Sequence, residues 1–281
     1  MSRAELLRGL GALCERPQPD HARIADALDL PPLGDPVDEA ATFLFEVYPY
    51  ASVHLGDEGM LGGEARSRVT GFWVALGLEP PTESDHLASL LGLLASLADL
   101  EAAEVDAARR VLRREARKAL LWEHVLSWTT PFLHAVERVG TEHQVAWAGL
   151  LRATLVAEAL EFGAPDLPPV ALRAAVQADD PLTLATAPVR TGVVLTRTDL
   201  VRGARALGVA TRRGDRAFAL RAMAEQDPMG TGAWLAAEAA SQAARFRGEP
   251  TALAPVAHWW AERAETTARM LTEEVATDAA G

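Results

Sequence analysis

The chain has 281 residues, a single cysteine and a formal net charge of −12 at pH 7. One cysteine excludes an internal disulfide framework and a cysteine-built zinc site, and the acidic balance argues against nucleic acid as the main partner, because phosphate binding wants a basic face. Hydrophobic residues make up 49% and aromatics only 6%; that apolar content is mostly Ala, Leu and Val, which predicts an all-α protein with a sizeable core.

Residues 4–15 predict a first helix, with Leu6, Leu7, Leu10 and Leu13 at three- and four-residue steps and Pro17 and Pro19 to stop it. A short helix over 21–28 ends before Pro31-Pro32. A third covers 38–47, with Ala41, Leu44, Phe45 and Tyr48 on one face. Residues 49–63 hold too many glycines and turn formers for a regular element. A helix over 65–76 points Val69, Phe72, Trp73 and Leu76 inward, with Gly77 as its C-cap. The next starts at Ser84 or Asp85 as N-cap and carries the stripe Leu87, Leu90, Leu91, Leu94 and Leu97. A long helix over 102–126, highly charged at first, turns toward the core at Leu120, Trp122, Val125 and Trp128; Pro131 kinks or restarts it. Helices over 132–139 and 143–160 precede a break at 163–169.

Residues 172–194 are proline-interrupted and poorly patterned. Helices follow over 197–208, 215–225 and 232–246, and a last one over 254–275 has Trp259 and Trp260 near its start. No apolar run reaches the roughly 20 residues of a membrane span. The N-terminus lacks a secretory apolar region and cleavage site, so the expected location is cytoplasmic.

Two short segments offer binding chemistry. In Pro49-Tyr50-Ala51-Ser52-Val53-His54, Tyr50 presents an apolar face and a hydroxyl, which suits an arginine and a hydrophobic side chain together. In Asp85-His86, the carboxylate suits a bidentate arginine contact. Each has a plainer explanation: Asp85 as an ordinary helix cap, Ser52 as a local cap, Gly63 as a tight-loop glycine. Trp73, Trp122 and Trp128 sit at helical spacing and fit a core.

Acids crowd the first third: Glu39, Glu46, Asp57, Glu58, Glu64, Glu79, Glu83 and Asp85. They would attract a basic peptide or simply form a solvated face. The stretch 190–221 is the opposite, with eight arginines against two aspartates, and Gly208 between two helices there hints at a helix-turn-helix. Phosphate-loop, dinucleotide, zinc-protease and nucleophile-elbow motifs are missing. The seven histidines are scattered singly and suggest no metal site, and Cys14 reads as a buried thiol.

The order of these features is more specific than any one of them. An aromatic-Ser-Val turn precedes the loop Met60-Leu61-Gly62-Gly63-Glu64, then a helix, the break Glu79-Pro80-Pro81, and Asp85-His86-Leu87 at a helix start. This order resembles the TorD/DmsD/NarJ family of cytoplasmic chaperones for molybdenum-containing redox enzymes. The segment from Trp122 to Leu133 is similar to that family's histidine-containing helix and its Trp-x-x-x-Phe. One departure stands out: Glu83 occupies the place where the family often has proline, two residues before the aspartate.

The resemblance, which reaches about Phe162, implies an all-α helical bundle of the TorD/DmsD type. It implies a chaperone domain over 1–165, a linker over 166–188 and an additional helical C-terminal extension over 189–281, with a hinge near Pro80-Pro81. It implies binding, not catalysis, and no cofactor. The expected partner is an apo-molybdoenzyme catalytic subunit, taken by its twin-arginine signal peptide or N-terminal segment at Tyr50, Ser52, His54, Gly63, Trp73, Asp85 and His86. Cofactor insertion would be assisted and export delayed. A monomer or homodimer is expected. The alternative is a regulatory protein whose arginine-rich C-terminal helices bind nucleic acid or an acidic partner.

Overall fold

The leucine and alanine stripes wind into helices that share one large apolar core. The computed structural model describes residues 1–211 and 214–280; Arg212, Arg213 and Gly281 of the expected extension lie outside the described residues. Among the described residues there is no strand, and the fold is all-α.

Helix α1 (Arg3–Ala12) opens with a capping box between Ser2 and Glu5. Next come α2 (His21–Ala27) and α3 (Pro36–Ala41), the latter with Pro36 in its first turn and the Asp35 side chain accepting from the Val37 N–H. Beyond Ala41 the helix widens into a π turn over Thr42–Glu46. That turn takes the side chains off the 3.6-residue period. Phe43 is buried edge-on to Trp147, whereas Leu44 and Phe45 are 37% and 53% exposed. The face expected from Ala41, Leu44, Phe45 and Tyr48 is corrected accordingly.

The stretch expected to be irregular contains a short, fully buried helix, α4 (Ala51–Leu55). Helix α5 (Gly63–Ala75) follows, and Gly77 just past its end takes φ +73°, the left-handed conformation that closes a helix. Helix α6 (Leu87–Ala103) buries its whole leucine stripe and packs along α1. The long charged helix expected from residue 102 is two elements. Asp106 breaks the run and caps α7 (Ala107–Ala119) by accepting from the Arg109 N–H at 2.8 Å. A second π segment, Leu120–Leu126, leads into α8 (Ser127–Val139), which contains Pro131 without restarting.

Proline has no N–H, so the carbonyl of Ser127, four residues back, loses its helical donor. The indole of Trp260 donates to that carbonyl at 3.0 Å. Helix α9 (Glu142–Phe162) begins with a capping box between Thr141 and Gln144 and sends the Trp147 indole to the Leu10 carbonyl at 2.9 Å.

Two short helices, α10 (Val170–Ala174) and α11 (Pro188–Thr191), precede α12 (Arg197–Leu207), α13 (Arg216–Gln226), α14 (Pro228–Arg247) and α15 (Ala254–Ala280). Helices α14 and α15 pack together along their lengths. The main core joins residues of α1, α4 to α6, both π segments and α8 to α10 with Val189, Val194, Phe246, Val256 and Trp260. A smaller core of Leu195, Leu200, Leu220, Met223, Leu235 and Leu271 lies among the later helices. Gly192, at φ +74°, lets the turn after α11 touch α15: a Cβ there would lie 2.3 Å from the backbone nitrogen of Ala264. Arg138 on α8 pairs with Asp199 on α12 at 3.0 Å and donates to the Val194 carbonyl at 2.9 Å.

Candidate peptide-binding site

Helix α4 starts with backbone N–H groups that have no partner inside so short a helix. The chain supplies one from 33 residues away. The Ala51 N–H donates to the Asp85 carbonyl at 3.0 Å, and the Leu87 N–H donates to the Pro49 carbonyl at 2.9 Å. Tyr50 and His86 thus form an isolated antiparallel bridge. The Ser52 N–H donates to Asp85 Oδ2, also at 3.0 Å. Asp85 is therefore a cap, but for α4 and not for its own helix. The cap of α6 is His86, whose Nδ1 accepts from the Ala88 N–H at 3.1 Å. Ser84, the other expected cap, pairs its hydroxyl with Thr70 at 2.8 Å.

Asp85 is 1% exposed, so its carboxylate is held by Ser52 and turned from solvent. The Tyr50 and His86 rings meet edge to face at 4.7 Å. The Tyr50 hydroxyl donates to Glu83 Oε1 at 2.9 Å. Burial and that carboxylate push the phenol above its ordinary pKa. Burial holds His86 below its ordinary value despite the nearby Glu83 and Asp85, which suits a neutral ring accepting at Nδ1. Tyr50, Glu83 and His86 line a cleft of about 380 Å³ with Cys14, Arg16, Phe43 and Leu44.

The other expected site residues lie elsewhere. His54 is buried, stacked on Trp128 at 5.2 Å with its Nε2 donating to the Tyr48 carbonyl at 3.0 Å. Burial pushes it down to about 4, so it is neutral at pH 7. Gly63 opens α5 at φ +67° and lines a different cleft of about 320 Å³ with Leu61, Glu64, Arg68 and Ala174. Trp73, half-buried on α5, packs against the core. Tyr50, Ser52, Asp85 and His86 converge; His54, Gly63 and Trp73 do not join them. Sequence reasoning missed Glu83 as a cleft residue. Its signals were its place among the crowded acids and its departure from the family pattern, and nothing local foretold its bond to Tyr50.

The acidic crowd also divides. Glu39 is buried and accepts from the Thr141 hydroxyl and the Gly34 N–H, and Glu46 accepts from the Thr198 N–H at the start of α12. Asp57, Glu58, Glu64, Glu79 and Glu83 remain exposed. Of the arginines in 190–221, Arg202 pairs with Asp199 and Glu238, and Arg216 donates to the Leu195 carbonyl beneath the Tyr48 ring. Arg197, Arg205 and Arg221 are exposed; Arg212 and Arg213 fall outside the described residues. Among the described residues no group of three His, Cys, Asp or Glu side chains could hold a metal ion, and no helix is long and apolar enough to cross a membrane.

Residues 40–134 match the family model described as nitrate reductase delta subunit. That model describes a family of the NarJ/TorD chaperone type. That family matures molybdoenzymes, which agrees with the resemblance carried by the motif order. The match contains both halves of the Tyr50–His86 bridge and ends inside α8, so α9 and all later helices lie beyond it. No curated protein matches the chain.

Proposed function

We propose that this protein is a cytoplasmic maturation chaperone, not an enzyme, for a DMSO-reductase-type molybdoenzyme. It binds the apo catalytic subunit through a twin-arginine leader or equivalent N-terminal segment. While bound, the client stays soluble, receives its molybdenum cofactor and is delayed from export. The protein itself acts as a monomer or homodimer.

One observation carries this reading. Two motif segments, both inside the family-matched stretch, are joined through the Tyr50–His86 bridge and the Ser52–Asp85 hydrogen bond beside an open cleft. The cleft offers the Tyr50 face and Leu44 for an apolar residue, and the exposed Glu83 carboxylate for a basic one. Asp85 and Ser52 support that surface from beneath. We assign residues 1–165 to the chaperone unit, 166–188 to the connection and 189–281 to an extension that completes the core.

The test is co-purification of the tagged chain from its native host, with mass spectrometry of the captured proteins. A molybdoenzyme catalytic subunit recovered with wild type, and depleted with Glu83→Gln/Tyr50→Phe, supports the reading and the cleft. Capture of nucleic acid with no redox enzyme would instead support the arginine-rich alternative and overturn the reading.

A further inference from the structure

The Tyr50 wall of the cleft is one end of a short extended run, Val47 to Tyr50, that follows the π turn over Thr42–Glu46. Its far end is tied to residues 85–87 by the Ala51, Ser52 and Leu87 N–H bonds. Its near end is gripped by residues outside the family-matched stretch. The Glu46 carboxylate accepts from both donors of Thr198 in the first turn of α12, the N–H at 3.0 Å and the hydroxyl at 3.2 Å. A carboxylate at that helix end is also favoured by the helix dipole. Arg216, the first residue of α13, places its guanidinium 5.5 Å from the centre of the Tyr48 ring. The same guanidinium donates to the Leu195 carbonyl at 2.9 Å.

The residues that do the gripping are themselves anchored. Leu195 and Thr196 are fully buried. Beside them Gln242 bonds Val194 at both its N–H, at 3.0 Å, and its carbonyl, at 3.1 Å. Arg138 of α8 ties the same carbonyl and Asp199 to the matched region. Tyr48 is fixed from its other side, since its carbonyl accepts from His54 Nε2. Neither Glu46 nor Arg216 lines the cleft. A short run without regular structure samples many arrangements, and a ligand that needs one of them must order it on binding. Holding both ends removes that penalty in advance.

We propose that Glu46 and Arg216 are positioning residues for the cleft: through them α12 and α13 hold the run from Val47 to Tyr50 in the register that sets Tyr50 against His86. What the cleft binds rests on the chaperone reading. The extension thereby takes part in binding a ligand that it does not touch, and bound ligand in turn tightens the hold on α12 and α13.

Hydrogen exchange on the full chain, read by mass spectrometry, follows the Ala51, Ser52 and Leu87 amides. Arg216→Ala and Glu46→Ala should exchange there about tenfold faster than wild type, while α9 keeps its rates. Arg216→Lys keeps a cation over the Tyr48 ring and should fall between. Arg247→Ala, which removes an ion pair lying wholly within the extension, should match wild type at all three amides. If Arg216→Ala does not fold, Glu46→Ala and Arg216→Lys carry the test. Wild-type rates at the three amides in these variants overturn the proposal. So does equal acceleration in α9, which marks a loss of global stability alone.

In parallel, anisotropy titrations use a fluorescein-labelled peptide of two arginines followed by Leu and Ala, at a temperature where far-UV circular dichroism shows each variant folded. A binding-competent fraction reduced to about one fifth raises Kd about fivefold, the result expected for Arg216→Ala and not for Arg247→Ala. A Kd unchanged in Arg216→Ala, even with a lower Tm, overturns the positioning role. No binding to wild type, with the exchange response intact, sinks the cleft as the peptide site and supports the hold of α12 and α13 on Tyr50.

Discussion

Replacing Trp260 by Phe isolates one hydrogen bond that joins the C-terminal helix to the family-matched region. In wild type the Ser127 carbonyl, deprived of a helical donor by Pro131, accepts from the Trp260 indole at 3.0 Å, with Trp260 fully buried. Phenylalanine keeps most of the ring but has no N–H. A buried acceptor left without a partner costs about 1–3 kcal/mol, and the lost ring volume adds roughly 1 kcal/mol. A total of about 2–4 kcal/mol lowers Tm by several degrees, at roughly 2–4 °C per kcal/mol for a chain of this size class. The decisive comparison is a double-mutant cycle with Pro131→Ala, read by urea denaturation under far-UV circular dichroism. Alanine restores an N–H that can donate to Ser127 itself, so Trp260→Phe should cost about 1 kcal/mol less in that background. A Trp260→Phe penalty under about 0.5 kcal/mol, or one identical in both backgrounds, would refute the claim that the indole replaces the missing helical donor.

Gly192→Ala should destabilise by more than about 2 kcal/mol, because its Cβ would overlap the backbone of Ala264, whereas Gly77→Ala, with nothing within 4 Å, should cost only about 1 kcal/mol from its left-handed backbone; equal Tm losses would contradict this. His134 is half-buried, which opposes its charge, but Glu137 and Glu249 outweigh that and raise its pKa despite Arg152. A raised value means its contribution is complete below the ordinary value of about 6.5 and disappears as pH climbs through the folded one. Urea midpoints measured from about pH 6.5 to 9 should therefore fall in wild type and flatten in His134→Gln; His54 and His124, both depressed to about 4, titrate below that window. Asp85→Asn should lower Tm by weakening the bond to the Ser52 N–H, a loss of about 1–3 kcal/mol. An unchanged Tm with lost client binding would mean that Asp85 faces the ligand instead.

The periodic signals were the legible ones. The stripe from Leu87 to Leu97 burial, the inward Trp122 and Trp128, and the all-α class follow from helix propensity and a 3.6-residue pattern, which are local properties of the chain. Two things escaped because they depend on groups distant in sequence. The π turn at Thr42–Glu46 shifts burial from Leu44 and Phe45 to Phe43, where Trp147 and Phe132 provide the packing partners. Pro131 sits inside α8 because Trp260, 133 residues away, satisfies the carbonyl that proline orphans.

The same division holds at the site. Tyr50, Ser52, Asp85 and His86 could be named from the sequence, yet their roles could not. Asp85 reads as the cap of the helix that follows it, and an aspartate before a leucine stripe satisfies every local rule for that position. The fold gives that task to His86 and sends the Asp85 carboxylate across to α4, because a five-residue helix cannot satisfy its own first N–H groups. Local spacing thus determined which residues form helices and which apolar faces they bury. Only the tertiary structure decided which polar groups complete one another across the chain, since a buried donor or acceptor takes whichever partner packing brings within 3 Å or so.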